Sequence, residues 1–184
     1  RNERCAPTLL QYESDLIEDC RQAVDEQAEE MEGVRNETTD STKLFFVSLL
    51  ELEIDRFKFL LRSYLRCRLQ KIQKFNQYLL SDPDRRSLMS ADETKLCAQY
   101  TDMMQKHYEE CFLNQIPSTL RDLSRPFMTA EPPVHNHVFV RVLEDIGNVQ
   151  MGEVEEVELK KDEIAVVKYS CVDELIRTHK LELV

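Results

Sequence analysis

Side chains able to do chemistry are present in this sequence, but they are scattered. Six cysteines, at 5, 20, 67, 97, 111 and 171, stand at least fourteen residues apart, which excludes CxxC and comparable metal-binding spacings. No local signature around any of them marks a thiol activated by a histidine. His135 and His137 lie two apart, a spacing that on a strand puts both imidazoles on one face. No third His, Cys or acid is tied to them by spacing, and two ligands do not make a zinc site. Glu29, Glu30 and Glu32, like Glu51, Glu53 and Asp55, read as solvated faces of helices, not as carboxylates in apolar pockets with the raised pKa that acid-base catalysis uses. Of the three glycines, at 33, 147 and 152, only Gly33 precedes residue 147. The first four-fifths of the chain therefore lacks the glycine-rich loops that cradle phosphates. The chain reads as non-enzymatic, with no cofactor, no metal and no small-molecule substrate.

What remains is charge. The chain carries a net −11, yet residues 56–74 hold Arg56, Lys58, Arg62, Arg66, Arg68, Lys71 and Lys74 and no acid, so these seven cations leave −18 on the rest. Phe57, Phe59, Tyr64, Phe75 and Tyr78 interleave with the band, a pattern loosely like a single-strand binding groove. The same band suits an acidic partner surface, and on a helix such aromatics also serve as core.

The element that must position the band is the stretch Thr42 to Leu80, 39 residues without Gly or Pro. Leu50, Ile54, Phe57, Leu61, Tyr64, Ile72, Phe75 and Leu79 recur at the three-and-four spacing of a helical stripe, interrupted only at Arg68. A second set, Phe45, Leu49, Leu52, Phe59, Leu60, Leu65 and Leu69, falls off that stripe. The spacing predicts one helix, apolar on more than one side. At about 1.5 Å per residue it would run roughly 58 Å, against a diameter of about 40 Å for a compact chain of this length. One end is expected to stand clear of the chain's own core. Each Leu or Phe left exposed there forgoes about 1.5 to 3 kcal/mol, a large share of a total stability of about 5 to 15 kcal/mol. A partner helix is the expected remedy.

Composition agrees with a soluble chain of one or two domains: 184 residues, 42% hydrophobic and 32% charged. Widely spaced cysteines at helical apolar positions suit reduced, buried thiols of a cytosolic or nuclear protein. Asn36-Glu37-Thr38 has the form of a glycosylation sequon without a secretory segment to support it. No apolar run approaches the roughly 20 residues of a membrane span. The chain begins at Arg1 without a methionine, which leaves room for a preceding piece.

In chain order, Leu16, Ile17, Cys20, Val24, Ala28 and Met31 mark a first amphipathic helix, expected to end near Gly33. A polar turn over 36–41 follows, with Asp40, Ser41 or Thr42 capping the long helix, which is expected to stop at Ser81-Asp82-Pro83. Ser90-Ala91-Asp92-Glu93 has capping-box spacing and opens a third helix. Leu96, Tyr100, Met103, His107 and Cys111 are its expected inner stripe, and Pro117 its expected end. Pro117, Pro126, Pro132 and Pro133 break the pattern and mark a linker, which Leu120, Leu123, Phe127 and Met128 could dock. Then come β-branched runs at Val138–Leu143, Val154–Leu159 and Ile164–Tyr169, a turn at Lys160-Lys161-Asp162, a short helix around Val172–Arg177 and a final strand Leu181–Val184. The fold class is α+β: a helical bundle domain at 1–116 with one long central helix, a Pro-containing linker at 117–136 and a small β-rich domain at 137–184. The last 48 residues are too few for a strong core of their own and should dock elsewhere.

The segment Ser63-Tyr64-Leu65-Arg66-Cys67-Arg68-Leu69-Gln70-Lys71-Ile72-Gln73-Lys74-Phe75 resembles the signature of the family of GINS subunit four, also called Sld-five. Ala6-Pro7-Thr8-Leu9-Leu10, the Ser90 to Glu93 helix start, Ile116-Pro117 with Leu120, Val138-Phe139-Val140-Arg141-Val142 and Leu181 to Val184 support the resemblance in family order. The family has a further helical segment ahead of the position of Arg1, and often a Gly where this chain has Lys161-Asp162.

The resemblance implies a helical domain followed by a small β domain, one of four related subunits of the GINS heterotetramer. With the MCM ring and the Cdc-forty-five protein that complex makes the eukaryotic replicative helicase in the nucleus. The implied role is a scaffold in DNA replication, with three sister subunits as partners, DNA touched at most indirectly, and no membrane. The partner interface is expected at Phe57, Leu61, Tyr64, Leu65, Arg66, Arg68, Leu69, Ile72 and Phe75 of the long helix and at Leu181 and Leu183. Arg62, Arg66 and Arg68 are expected to pair with acids inside the chain or across that interface. The competing reading is a single-stranded nucleic-acid binding module that uses the basic band 56–74.

Overall fold

The computed structural model describes residues 1–37, 40–123, 128–150 and 156–184. They form two compact units, one of residues 12–67 and one of residues 1–11 with 68–184. Thr38 of the sequon and polar turn, Pro126 and Phe127 of the expected linker, and Val154 of the second expected strand lie outside the described residues.

In the unit 12–67, α2 (Ser14–Glu37) and most of α3 (Ser41–Lys74) are the regular elements; a one-turn α1 (Asn2–Cys5) belongs to the other unit. Ile17, Cys20, Val24, Ala28 and Met31 line the half-buried side of α2, while Leu16, expected among them, is exposed. Nor does α2 end near Gly33. A glycine costs only about 1 kcal/mol against alanine inside a helix, and the strong helix formers on either side carry the turn through it. Asp40 is the residue that caps α3, its Oδ1 accepting from the Thr42 N–H at 3.0 Å. Val47 and Ile54, seven residues apart, are buried on α3, with Leu61 half-buried a further seven along. Arg35 on α2 reaches Glu51 on α3 at 3.0 Å.

The single helix expected over 42–80 is in fact two. Phe75 leaves helical geometry (φ −113°, ψ 26°) and α4 (Asn76–Ser81) restarts after it. No Gly or Pro marks the break, which coincides with enclosure of Phe75 among Leu9, Ile72, Leu79, Met89 and Cys97. Pro83 then does more than stop a helix. It sits in the first turn of α5 (Pro83–Arg86), where Asp82 accepts from the Asp84 N–H at 3.0 Å. The capping box that opens α6 (Ala91–Cys111) is present as the spacing predicts: Ser90 Oγ accepts from Glu93 N–H at 3.2 Å, and the Glu93 carboxylate accepts from Ser90 N–H at 3.0 Å. The inner stripe of α6, however, is Glu93, Cys97, Tyr100, Met104 and Tyr108, while Leu96, Met103, His107 and Cys111 face out. Apolarity alone picked the wrong register because the true stripe starts with a carboxylate. Cys111 ends α6 well before Pro117, and 3-10 turns follow at Leu113–Gln115 and Ser118–Leu120.

Beyond residue 136 a three-stranded antiparallel sheet runs in the order β4 (Ile164–Lys168), β1 (His137–Val142), β5 (Leu181–Leu183). Val140 stands opposite both Ala165 and Leu183. A two-stranded ribbon joins β2 (Gly147–Gln150), which no β-branched run announced, to β3 (Glu156–Leu159). The expected turn links β3 to β4, although the two do not pair. Its Asp162 sits at φ 64°, a left-handed conformation that Asp tolerates better than most non-glycine residues. Helix α7 (Tyr169–Arg177) buries Tyr169, Val172 and Ile176 against Val140, Val142, Val167, Leu181 and Leu183. The architecture is the α+β arrangement anticipated, helices first and a small sheet last.

Candidate functional site

Two features of α3 stand out, one buried and one exposed. Arg68, the residue that interrupts the apolar stripe, has no exposed side-chain surface. Its Nε and one terminal nitrogen donate to the two oxygens of Glu93 at 2.8 and 2.9 Å. The other terminal nitrogen donates to Glu3 Oε2 at 3.0 Å and to the Leu10 carbonyl at 2.8 Å. The fifth N–H reaches the Leu88 carbonyl at 3.0 Å. All five donors of the guanidinium are thus used, which a buried arginine requires. One turn on, Lys71 Nζ donates to Glu3 Oε1 at 2.7 Å, to the Thr8 carbonyl at 2.8 Å and to the Glu3 carbonyl. Two cations and two carboxylates make a neutral cluster. Arg68 pairs with acids inside the chain, one of the two alternatives expected. Glu3 and Glu93 were missed because a carboxylate buried by its partner looks, in one dimension, like any solvated acid.

The exposed feature is the N-terminal half of α3. Phe45, Phe46, Leu49, Leu50, Leu52, Phe57, Phe59 and Leu60 are each at least half exposed, up to 68% for Phe59. They occupy one run of α3 from 45 to 60.

The expected interface residues scatter against this picture. Phe57, Arg66 and Leu69 are exposed; Leu61, Tyr64 and Leu65 are half-buried. Ile72 and Phe75 are enclosed in the helical core, and Leu181 and Leu183 in the β core, where strand pairing and α7 cover them. Side chains with no surface cannot touch a partner, so these four and Arg68 are corrected to internal residues. Phe45, Leu49, Leu52, Phe59 and Leu60 were visible as the second apolar set; its density ahead of residue 61 was the usable signal.

The basic band is thinned in the same way. Arg68 and Lys71 point inward. Phe75 is buried, and Tyr78 is half-buried with the Arg85 guanidinium 3.7 Å from its ring centroid. Phe57 and Phe59 alone of the interleaved aromatics keep exposed rings, a poor platform for stacking successive bases.

Six free cysteines are present as expected, but only Cys97 is buried; Cys5 and Cys111 are exposed. Burial pushes the Cys97 thiol above its ordinary range. Burial also pushes the Tyr169 hydroxyl up, where it shares a hydrogen bond with Thr8 and donates to Asp173 Oδ1 at 2.9 Å. Among the described residues no three His, Cys, Asp or Glu are grouped to hold a metal, and no helix is long and apolar enough to cross a membrane.

Fold and site together define a helical-bundle protein with a small C-terminal β unit, carrying an outward apolar helix face and a buried ion cluster. Residues 22–112 match the GINS complex protein helical bundle domain, and residues 132–184 match the C-terminus of the DNA replication complex GINS protein SLD5. The DNA replication complex GINS protein sld5 of Schizosaccharomyces pombe is 28% identical over 188 residues, covering 100% of this chain and 87% of its own length. The SLD5 protein of Yarrowia lipolytica is 33% identical, covering 92% of this chain and 67% of its own. That of Rattus norvegicus is 29% identical, covering 100% and 84%. The chain belongs to the SLD5 family of GINS complex proteins.

Proposed function

We propose that this chain is a non-enzymatic structural subunit of the GINS heterotetramer, and that its exposed α3 face packs against helices of sister subunits. Through that complex it acts as a scaffold of the replicative helicase, with the MCM ring and Cdc-forty-five, in the nucleus. The carrying observation is the run of eight apolar side chains between 45 and 60, each at least half exposed. Leaving them in water forgoes about 1.5 to 3 kcal/mol for each side chain that a partner would fully bury. Phe57 lies inside the patch, with Leu61, Tyr64, Leu65, Arg66 and Leu69 following along α3. Arg68, Ile72 and Phe75 fix the C-terminal turns of that helix from within. We also propose the organisation 1–116, 117–136 and 137–184 as helical domain, linker and β domain.

Co-expression with the three sister subunits tests the reading through Phe59→Asp. At a 68% exposed position the charge is expected to alter the chain's own stability by no more than about 0.5 kcal/mol. In an interface it must be desolvated without a partner. Unchanged melting of the isolated chain with loss of co-purification is the expected result. Recovery of the complex at wild-type yield would refute it.

A further inference from the structure

The larger unit has two separate hydrophobic cores, and one short segment serves both. Ile72, Phe75, Leu79, Met89 and Cys97 enclose Leu9 in the helical core, while Ala6 lies in the β core with Val140, Leu181 and Leu183. Polar contacts of the same segment divide in the same way. Toward the helices, the Glu3 carboxylate and the carbonyls of Glu3, Thr8 and Leu10 accept from Arg68 and Lys71. Gln11 Nε2 adds a bond to the Ser87 carbonyl at 3.3 Å. Toward the β unit, Asn2 Oδ1 accepts from the Leu183 N–H at 2.9 Å, Thr8 bonds the Tyr169 hydroxyl, and Arg1 reaches Glu182 at 3.4 Å.

We propose that residues 1–11 are a strap that holds the β unit to the helices, with Arg68 and Lys71 as the positioning residues that close its helical side. The strap is one continuous piece of chain attached on both sides: residues 2 and 6 face the β unit, 3 and 9 the helices, and 8 and 10 both, the Leu10 side chain packing on the β core while its carbonyl accepts from Arg68. Glu3 is the hinge of the helical side. Its carboxylate accepts from Arg68, from Lys71 and from the Leu10 N–H at 3.2 Å, so it joins the strap to α3 and folds the strap on itself. Loss of its charge takes a carboxylate partner from the buried Arg68 and from the half-buried Lys71, which favours release of the segment that carries it. Release on the helical side then slackens the β side, because no independent anchor separates Glu3 from Asn2. This inference does not rest on the assembly reading and survives if the Phe59→Asp test fails.

Amide exchange followed by mass spectrometry on the full chain tests the coupling, each side being perturbed and the other read. In Glu3→Gln the peptide carrying Leu181–Val184 is expected to exchange about tenfold faster or more, since bonds to charged groups are lost. The peptide spanning Val167–Ile176 should keep its protection. In Asn2→Ala, which disturbs no buried charge, the Leu10 amide on the helical side is expected to exchange faster too. If Glu3→Gln unfolds the unit, Asn2→Ala alone decides. A wild-type rate at Leu181–Val184 in a folded Glu3→Gln protein, or at Leu10 in Asn2→Ala, would show two independent attachments and overturn the strap.

Discussion

Replacement of Arg68 by Met fills most of the arginine's volume and removes its charge, leaving the consequences to its partners. Five hydrogen bonds disappear. Glu93, 9% exposed in its side chain, keeps only the Ser90 N–H; Glu3, at 5%, keeps Lys71 and the Leu10 N–H. Truncating one partner of a buried ion pair costs about 3 to 5 kcal/mol, because the remaining charge is buried and uncompensated. For a chain of this size about 1 kcal/mol moves Tm by about 2 to 4 °C, so the expected drop is about 6 to 20 °C. Urea unfolding followed by far-UV circular dichroism should show the loss in the midpoint with little change in slope. A second variant sharpens the test. Adding Glu93→Gln to Arg68→Met removes the orphaned charge, so the double variant should lose less than the sum of the singles, by about 0.5 to 3 kcal/mol. An Arg68→Met protein within about 1 kcal/mol of wild type, or strictly additive singles, would refute the claim that this cluster holds the unit together.

Smaller perturbations follow from the same coordinates. Ser90→Ala removes the cap of α6 and is expected to cost about 1 kcal/mol, seen as a lower urea midpoint, because the Glu93 N–H loses its acceptor. Thiol titration of the native chain should modify Cys5 and Cys111 first and Cys97 only on unfolding, since burial both shields that thiol and disfavours its thiolate. Alkali should destabilise the fold through Tyr169. Its hydroxyl is held above the ordinary 10.0, so the unfolded state ionises first, and the stability present below that pH is lost as pH rises past it. Tyr169→Phe should flatten this alkaline loss between pH about 9.5 and 11 while lowering stability at neutral pH through the lost bonds to Thr8 and Asp173.

Local chemistry was legible wherever a local interaction decides the outcome. The capping box at Ser90 and Glu93 needs only four residues, and it formed as read. So did the sheet strands read around Val138 and Ile164. Features decided by distant parts of the chain were not legible. Phe75 leaves the helix where Leu9 and Cys97, 66 and 22 positions away in sequence, help to enclose it. Leu181 and Leu183 look like a free apolar edge until β1 and α7 are laid against them. The register of α6 was misread for the same reason: its inward side opens with Glu93, whose burial makes sense only once Arg68 stands opposite. The second apolar side of α3 was legible from residue spacing, since two stripes on one helix exceed what a single core face takes.

The arrangement of the two units along the chain bears on how the protein is made. Residues 12–67 interrupt the larger unit, whose closing contacts join Asn2 to Leu183, 181 positions apart. At translation speeds of about 5 to 20 residues per second, roughly 6 to 23 s separate the emergence of residue 67 from that of residue 183. During that interval α3 and α6 can already pair through Arg68 and Glu93, while Asn2 waits for a strand not yet synthesised. Pausing of ribosomes late in the message should therefore prolong a half-built intermediate, with its sheet incomplete, and leave the inserted unit untouched.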